Sequence, residues 1–286
     1  MRAISSAAKR AAPALGMRAQ DLRQYLVFDR LLARVFRIRD CPFVLKGGTR
    51  MLAFIPQARA TVDIDLEASG CGLLEAVELL RIAVAQDIGD RLRFEFFDSR
   101  PGGGDQQANM AVVRLRFDLV ATGERVKIDL AVHDRQRAAV TVGVPAFRVP
   151  LARPVAESDY VMVAVEQQIA DKVAAMMERR HVGGDGRSSR AKDLVDLALI
   201  ALHLSCDARL LREAIARQIA ERGLDEFMAV DASAAIRSGY PVAARKASTL
   251  SLDWKEAERL VNRLIEPALD GTVMTGSWDP LRGEWG

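Results

Sequence analysis

Two aspartates interrupt an apolar run at Val62-Asp63-Ile64-Asp65-Leu66, and they restrict the fold more than any other feature of this chain. Residues i and i+2 of a strand project to the same face. A strand here presents both carboxylates on one face and buries Ile64 and Leu66 on the other. Two like charges so close repel unless a cation lies between them. Oxygen-only ligands suit a hard cation such as Mg2+. The fold must therefore bury one face of this strand and leave the other open to a ligand.

Upstream stands Lys46-Gly47-Gly48-Thr49, and fourteen residues, Thr49 through Val62, lead from it to the first aspartate. The preceding run Cys41-Pro42-Phe43-Val44-Leu45 reads as a strand start, and Arg50 to Ile55 reads as a helix stopped by Pro56. A strand, two glycines and a helix N-terminus bring backbone N–H groups together where a phosphate can approach. Glycine leaves room for that approach. Alone, Gly-Gly is most often a plain turn, and Asp-x-Asp is most often a solvated face. Together they are far more specific.

A third acid lies in Val126-Lys127-Ile128-Asp129-Leu130, in mid-strand between apolar neighbours. Asp129 as a metal ligand would complete a two-metal phosphoryl-transfer site, and it could also take the proton of an acceptor hydroxyl. The lesser alternative is pairing with a nearby cation such as Lys127 or Arg114, because buried acids are usually paired.

Periodicity divides the chain. Asp21 to Phe36 and Leu73 to Ile88 have helical spacing, whereas Ala60 to Leu66 and Arg91 to Phe97 alternate as strands. Met110 to Val120 and Arg125 to Val132 form an expected hairpin, and Pro101 to Asp105 an expected loop. The first fourteen residues read as a loose terminus. From Ser158 the pattern turns helical, with a stripe through Val161, Val165, Ile169, Val173 and Met176. Further helices are expected over Arg190 to Leu204, Asp207 to Glu221 and Asp253 to Ile265, the last opened by a near capping box, Asp253 with Glu256. The expected fold is α+β: a small mixed β-sheet flanked by helices, followed by a mainly helical C-terminal part. The expected domains are 1–150, the catalytic half, and 151–286, helical and completing the NTP and acceptor site.

In the helical part Lys172 borders the apolar stripe, where a compact ammonium could reach a triphosphate. Lys192 and Asp196 are i, i+4 neighbours, and an ordinary surface ion pair explains them as well. Arg179, Arg180, Arg187 and Arg190 form a basic stretch broken by glycine and serine, suited to RNA phosphates or simply solvated. It has no interleaved aromatics, so base stacking is not indicated there.

Composition excludes several classes. Cys41, Cys71 and Cys206 are too few and too widely spaced for a disulfide framework or a zinc CxxC pair. The three histidines, His133, His181 and His203, make no metal cluster and no nucleophilic triad. No segment reaches the ~18 to 20 apolar residues of a membrane helix. A soluble cytoplasmic protein is expected. The formal charge of +3 permits a polyanionic partner without requiring one.

Four motifs in order, Phe43-Val44-Leu45-Lys46-Gly47-Gly48-Thr49, Thr61-x-Asp63-Ile64-Asp65-Leu66, Ala170-Asp171-Lys172 and Lys192-Asp193-x-x-Asp196-Leu197, resemble the AbiEii/AbiGii toxin family. That family lies within the DNA polymerase β-type nucleotidyltransferases and includes mycobacterial tRNA-modifying toxins. The resemblance covers about residues 22 to 204. It implies the toxin of a type IV-like toxin–antitoxin system, held in check by a separately encoded antitoxin. It implies Mg2+, an NTP substrate, and transfer of NMP to an RNA, in the family often the tRNA 3′ end. It implies that Gly48 and Thr49 touch phosphate with Lys46 and Gly47 beside them, and that Asp63 and Asp65 bind metal. Lys172 would bind the NTP phosphates and Asp196 would support the site, while Asp129 is carried over more loosely, by its place in a strand. Transfer to a small molecule or a protein hydroxyl remains open, as does a non-catalytic RNA-binding protein, though the latter leaves three strand carboxylates without a task.

Overall fold

A computed structural model describes residues 2–56, 58–102, 110–120, 122–133, 139–146, 148–178, 188–247 and 250–286. The chain divides into two compact units, Met1–Val163 and Ala164–Gly286.

The first unit runs α1 (Arg2–Ala11), α2 (Ala19–Val35), β1 (Phe43–Lys46), α3 (Gly47–Phe54), β2 (Ile64–Ser69), α4 (Leu73–Ala85), β3 (Phe94–Pro101), β4 (Met110–Leu119), β5 (Glu124–His133), β6 (Val140–Gly143) and β7 (Tyr160–Val163). Its strands form one mixed sheet in the order β3-β4-β5-β2-β1-β7-β6. β2 lies parallel to β5 and antiparallel to β1. This central pairing puts residues far apart in sequence side by side. Alternation supplies the core: Ile64 and Leu66 of β2, Ile128 and Leu130 of β5, and Leu115 and Phe117 of β4 are all buried. Inside α2, Arg34 has no exposed side-chain surface and grips Asp90 with two bonds of 2.8 and 2.7 Å. It also donates to the carbonyls of Arg30, Gln86 and Leu92.

The second unit holds α5 (Val165–Met177), α6 (Ala191–His203), α7 (Ala208–Arg222), α8 (Ala234–Ala244), α9 (Trp254–Leu269) and a short hairpin, β8 (Trp278–Asp279) with β9 (Glu284–Trp285). α5 packs on α6 and α7, and α9 on α6 and α7. The capping box of Asp253 and Glu256 forms, each side chain accepting from the other's backbone N–H at 2.8 Å.

Several expectations change. The terminus read as loose is helical, because Ile4, Ala7 and Ala8 fall at helical spacing and are buried, and α1 packs on α2. Val161 does not belong to the helical stripe. Tyr160-Val-Met-Val163 instead forms β7, a β-branched run that returns to the sheet beside β1 and carries the first unit past residue 150. The strand expected from Ala60 begins only at Ile64, so Asp63 stands in the turn before it. Among the described residues no helix is long and apolar enough to cross a membrane.

Candidate active site

The Gly-Gly motif is shaped by the aspartates it faces. Gly47 opens α3 with φ of +65°, in the left-handed region that glycine alone enters freely. A Cβ there would lie 1.9 Å from Oδ2 of Asp65 and 2.6 Å from its Cγ. No side chain can occupy position 47 while Asp65 stays where it is. At Gly48 a Cβ would come within 2.8 Å of the Thr61 hydroxyl. The start of α3 is therefore pressed against the carboxylate, and Lys46 gives it no side-chain cap. A helix N-terminus bearing the positive end of its dipole, next to a carboxylate, suits a ligand that is anionic and carries a cation.

Two threonines hold Asp63. Thr49 is fully buried, and its hydroxyl donates to the Asp63 carbonyl at 2.9 Å. Thr61 donates to Oδ1 of Asp63 at 2.9 Å. The Thr49 hydroxyl is thus spent on fixing the aspartate turn. Asp63 and Asp65 do not share a strand face by simple alternation. Asp65 is placed by β2 and Asp63 by these hydroxyls.

Across the sheet Lys46 pairs in register with Asp65, Asp65 with Asp129, and Asp129 with Arg114. Cross-strand partners project to the same face, so four charged residues form one row over β1, β2, β5 and β4. Both oxygens of the Asp129 carboxylate are engaged by Arg114. Arg114 donates from Nε to Oδ1 and from Nη2 to Oδ2, both at 2.6 Å. Asp129 first, then Asp63 and Asp65, hold the Arg114 guanidinium above its ordinary pKa. Among the described residues no three His, Cys, Asp or Glu side chains converge as a metal cluster. Asp129, expected as a third metal ligand, is instead paired with Arg114.

Lys46 pairs with Glu67 at 3.5 Å, and Nε2 of His133 lies 3.7 Å from the same carboxylate. Sequence reasoning missed Glu67, although it continues the alternation of Asp63 and Asp65 by one step. His133 was passed over because its partner is distant in sequence.

In the second unit Lys172 is buried on α5, and its Nζ donates to Asp196 at 2.6 Å and to Asp193 at 3.0 Å, both on α6. Asp196 therefore turns inward to Lys172, while Lys192, four residues earlier, is exposed. Asp193 is the member sequence reasoning left without a role. Arg190 lies 3.5 Å from Asp193. Arg179, Arg180 and Arg187 lie outside the described residues.

The family profile described as nucleotidyl transferase AbiEii toxin, type IV toxin–antitoxin system, matches residues 30–276. This chain belongs to the AbiEii nucleotidyltransferase toxin family. As a member it is an enzyme, a nucleotidyltransferase, and a toxin of a toxin–antitoxin family. Among solved structures it is similar to MenT4, a nucleotidyltransferase toxin from Mycobacterium tuberculosis H37Rv, at 18% identity and a TM-score of 0.52, covering 93% of this chain and 98% of that one. It is also similar to JHP933 from Helicobacter pylori, at 16% identity and a TM-score of 0.49, covering 88% and 94%. No curated protein matches. The MenT4 likeness supports the fold.

Proposed function

We propose that this toxin transfers NMP from an NTP to the 3′ end of an RNA, a tRNA in the first instance, and that Asp63 and Asp65 hold the Mg2+ the reaction uses. The observation that carries this reading is the clearance at Gly47, where the N-terminus of α3 and the Asp65 carboxylate meet with no room for a side chain. The donors are all oxygen, as Mg2+ prefers. When bound, such an ion would neutralise charge on the triphosphate. The backbone at Gly47 to Thr49 would cradle phosphate oxygens. Thr49 and Thr61 would keep Asp63 in place while the nucleotide enters and leaves. In the second unit Lys172 is held by Asp193 and Asp196.

In the reaction an acceptor hydroxyl oxygen forms a bond to the α-phosphorus. The bond from that phosphorus to the bridging β-oxygen breaks, pyrophosphate leaves with its electron pair, and the hydroxyl proton passes to water. Such a toxin would act in the cytoplasm, where its RNA acceptor lies, with a separately encoded antitoxin restraining it.

The test is incubation of the purified chain with Mg2+, each α-labelled NTP in turn and total tRNA, beside Asp65→Ala. Label in tRNA with the wild type alone supports the proposal and names the nucleotide. Label in protein or in a small molecule would replace the acceptor, and equal labelling by Asp65→Ala would remove the aspartate site.

A further inference from the structure

We infer that Asp129 is not a metal ligand in this enzyme and that Arg114, aimed by Asp129, contacts a phosphate of the bound nucleotide. The inference rests on the two-aspartate site proposed above and adds to it a substrate-binding residue and a positioning residue.

Both Asp129 oxygens are already used. Each receives one N–H of the same guanidinium at 2.6 Å. Such forked, charge-assisted pairs are the strongest and most directional hydrogen bonds a protein makes. The backbone enforces this one, because Arg114 and Asp129 sit directly opposite each other in the middle of the β4–β5 ladder. Neither side chain has to reach. For Asp129 to ligate a divalent cation, both bonds would have to break. The freed guanidinium would then stand next to the new cation, an arrangement that like-charge repulsion opposes. No third carboxylate joins Asp63 and Asp65 among the described residues.

The other edge of Arg114 points to its use. Nε and one hydrogen of Nη2 go to Asp129, which leaves Nη1 and the second Nη2 hydrogen. The side chain is 41% exposed, so the pair with Asp129 does not bury the arginine. Asp65 is in register with Asp129, one strand from Arg114's partner, so the arginine belongs to the row that carries the Asp65 carboxylate. A planar fork with donors to spare fits tetrahedral phosphate oxygens. Asp129 then acts through Arg114 by fixing the plane of the guanidinium. The row gives the site a built-in cation, whose charge does not depend on loading with metal.

The test uses the full chain and two binding measurements that require no turnover. Mn2+ alone is titrated calorimetrically into wild type, Asp65→Asn and Asp129→Asn. A non-hydrolysable α,β-methylene NTP with Mg2+ is titrated into wild type, Arg114→Gln, Arg114→Lys and Asp129→Asn. Asp65→Asn should weaken Mn2+ binding about tenfold or more, with Asp129→Asn staying within about twofold of wild type. Arg114→Gln should weaken the nucleotide about tenfold with little change in melting temperature. Arg114→Lys, which keeps the charge but loses the fork, should move the same way and serves if Arg114→Gln folds poorly. Asp129→Asn should weaken nucleotide binding while leaving Mn2+ affinity alone. Loss of Mn2+ binding in Asp129→Asn to the same degree as in Asp65→Asn would overturn the inference. So would wild-type nucleotide affinity in both Arg114 variants. If wild type and Asp65→Asn take up Mn2+ alike, the two-aspartate site itself fails, and the inference falls with it.

Discussion

Gly47→Ala separates clearance from backbone strain. The added methyl would lie 1.9 Å from Asp65 Oδ2 and 2.9 Å from its Cβ, so the carboxylate must swing away or α3 must shift. The substitution also forces an L residue to a φ of +65°, which costs about 1–2 kcal/mol. In a unit of this size that strain lowers the melting temperature by roughly 2–8 °C. Displacing a reacting-site group by about 1 Å costs about 100-fold in rate. Gly16→Ala is the matched control. It has a φ of +63° and nothing within 4 Å of a built Cβ, so it carries the same strain without touching Asp65. Thermal melts and nucleotidyl transfer from labelled NTP should show both variants destabilised, Gly47→Ala at least as much as Gly16→Ala, and only Gly47→Ala slowed by about 100-fold. If Gly47→Ala keeps full activity, Asp65 does not need its observed position and the argument from clearance is refuted. If Gly16→Ala loses activity equally, strain or general instability is responsible instead.

Three further outcomes follow from the packing. Arg34→Met leaves Asp90 buried without its partner, which should cost about 3–5 kcal/mol and lower the first unit's melting temperature on the order of 10 °C in a calorimetric scan. Lys172→Met leaves Asp193 and Asp196 facing each other in a buried setting and should cost about 3 kcal/mol; the Lys172→Met/Asp193→Asn/Asp196→Asn triple variant should recover most of that loss in the same melts. Burial, then the charges of Glu166 and Asp207, push the Cys206 thiol far above its ordinary pKa, so iodoacetamide at pH 8 should label half-exposed Cys41 before Cys206 by peptide mass mapping.

What the sequence disclosed depended on how locally each feature is determined. The Asp-x-Asp run, the Gly-Gly break and the Asp253 capping box are short-range patterns whose physics is complete within a few residues, and each stands close to where it was expected. The first half was recognisable for that reason. The strand order was not, because β2 pairs with β5 across some sixty intervening residues, and nothing local encodes that register. α8 stayed hidden because Pro241 lies within it, where a proline normally argues against a helix. The C-terminal hairpin was hidden for another reason. It is two residues per strand and is anchored by Trp278, whose indole N–H donates to the Ala201 carbonyl at 2.8 Å, a contact set entirely by tertiary packing.

The same distinction explains why the glycine pair was easier to find than to interpret. From sequence both glycines read as room for a phosphate. In the fold they do different work. Gly47 needs both a left-handed backbone and an empty Cβ site because Asp65, eighteen residues later in the chain, comes against it. Gly48 has ordinary backbone geometry and needs only the space that Thr61 fills. Thr61 in turn fixes Asp63, so the loop between the glycines and the aspartates closes on itself: the glycines admit the residues that place the acids. A motif that looked like two independent elements is therefore one interlocked unit. A substitution at either glycine should be felt at an aspartate before any ligand is present.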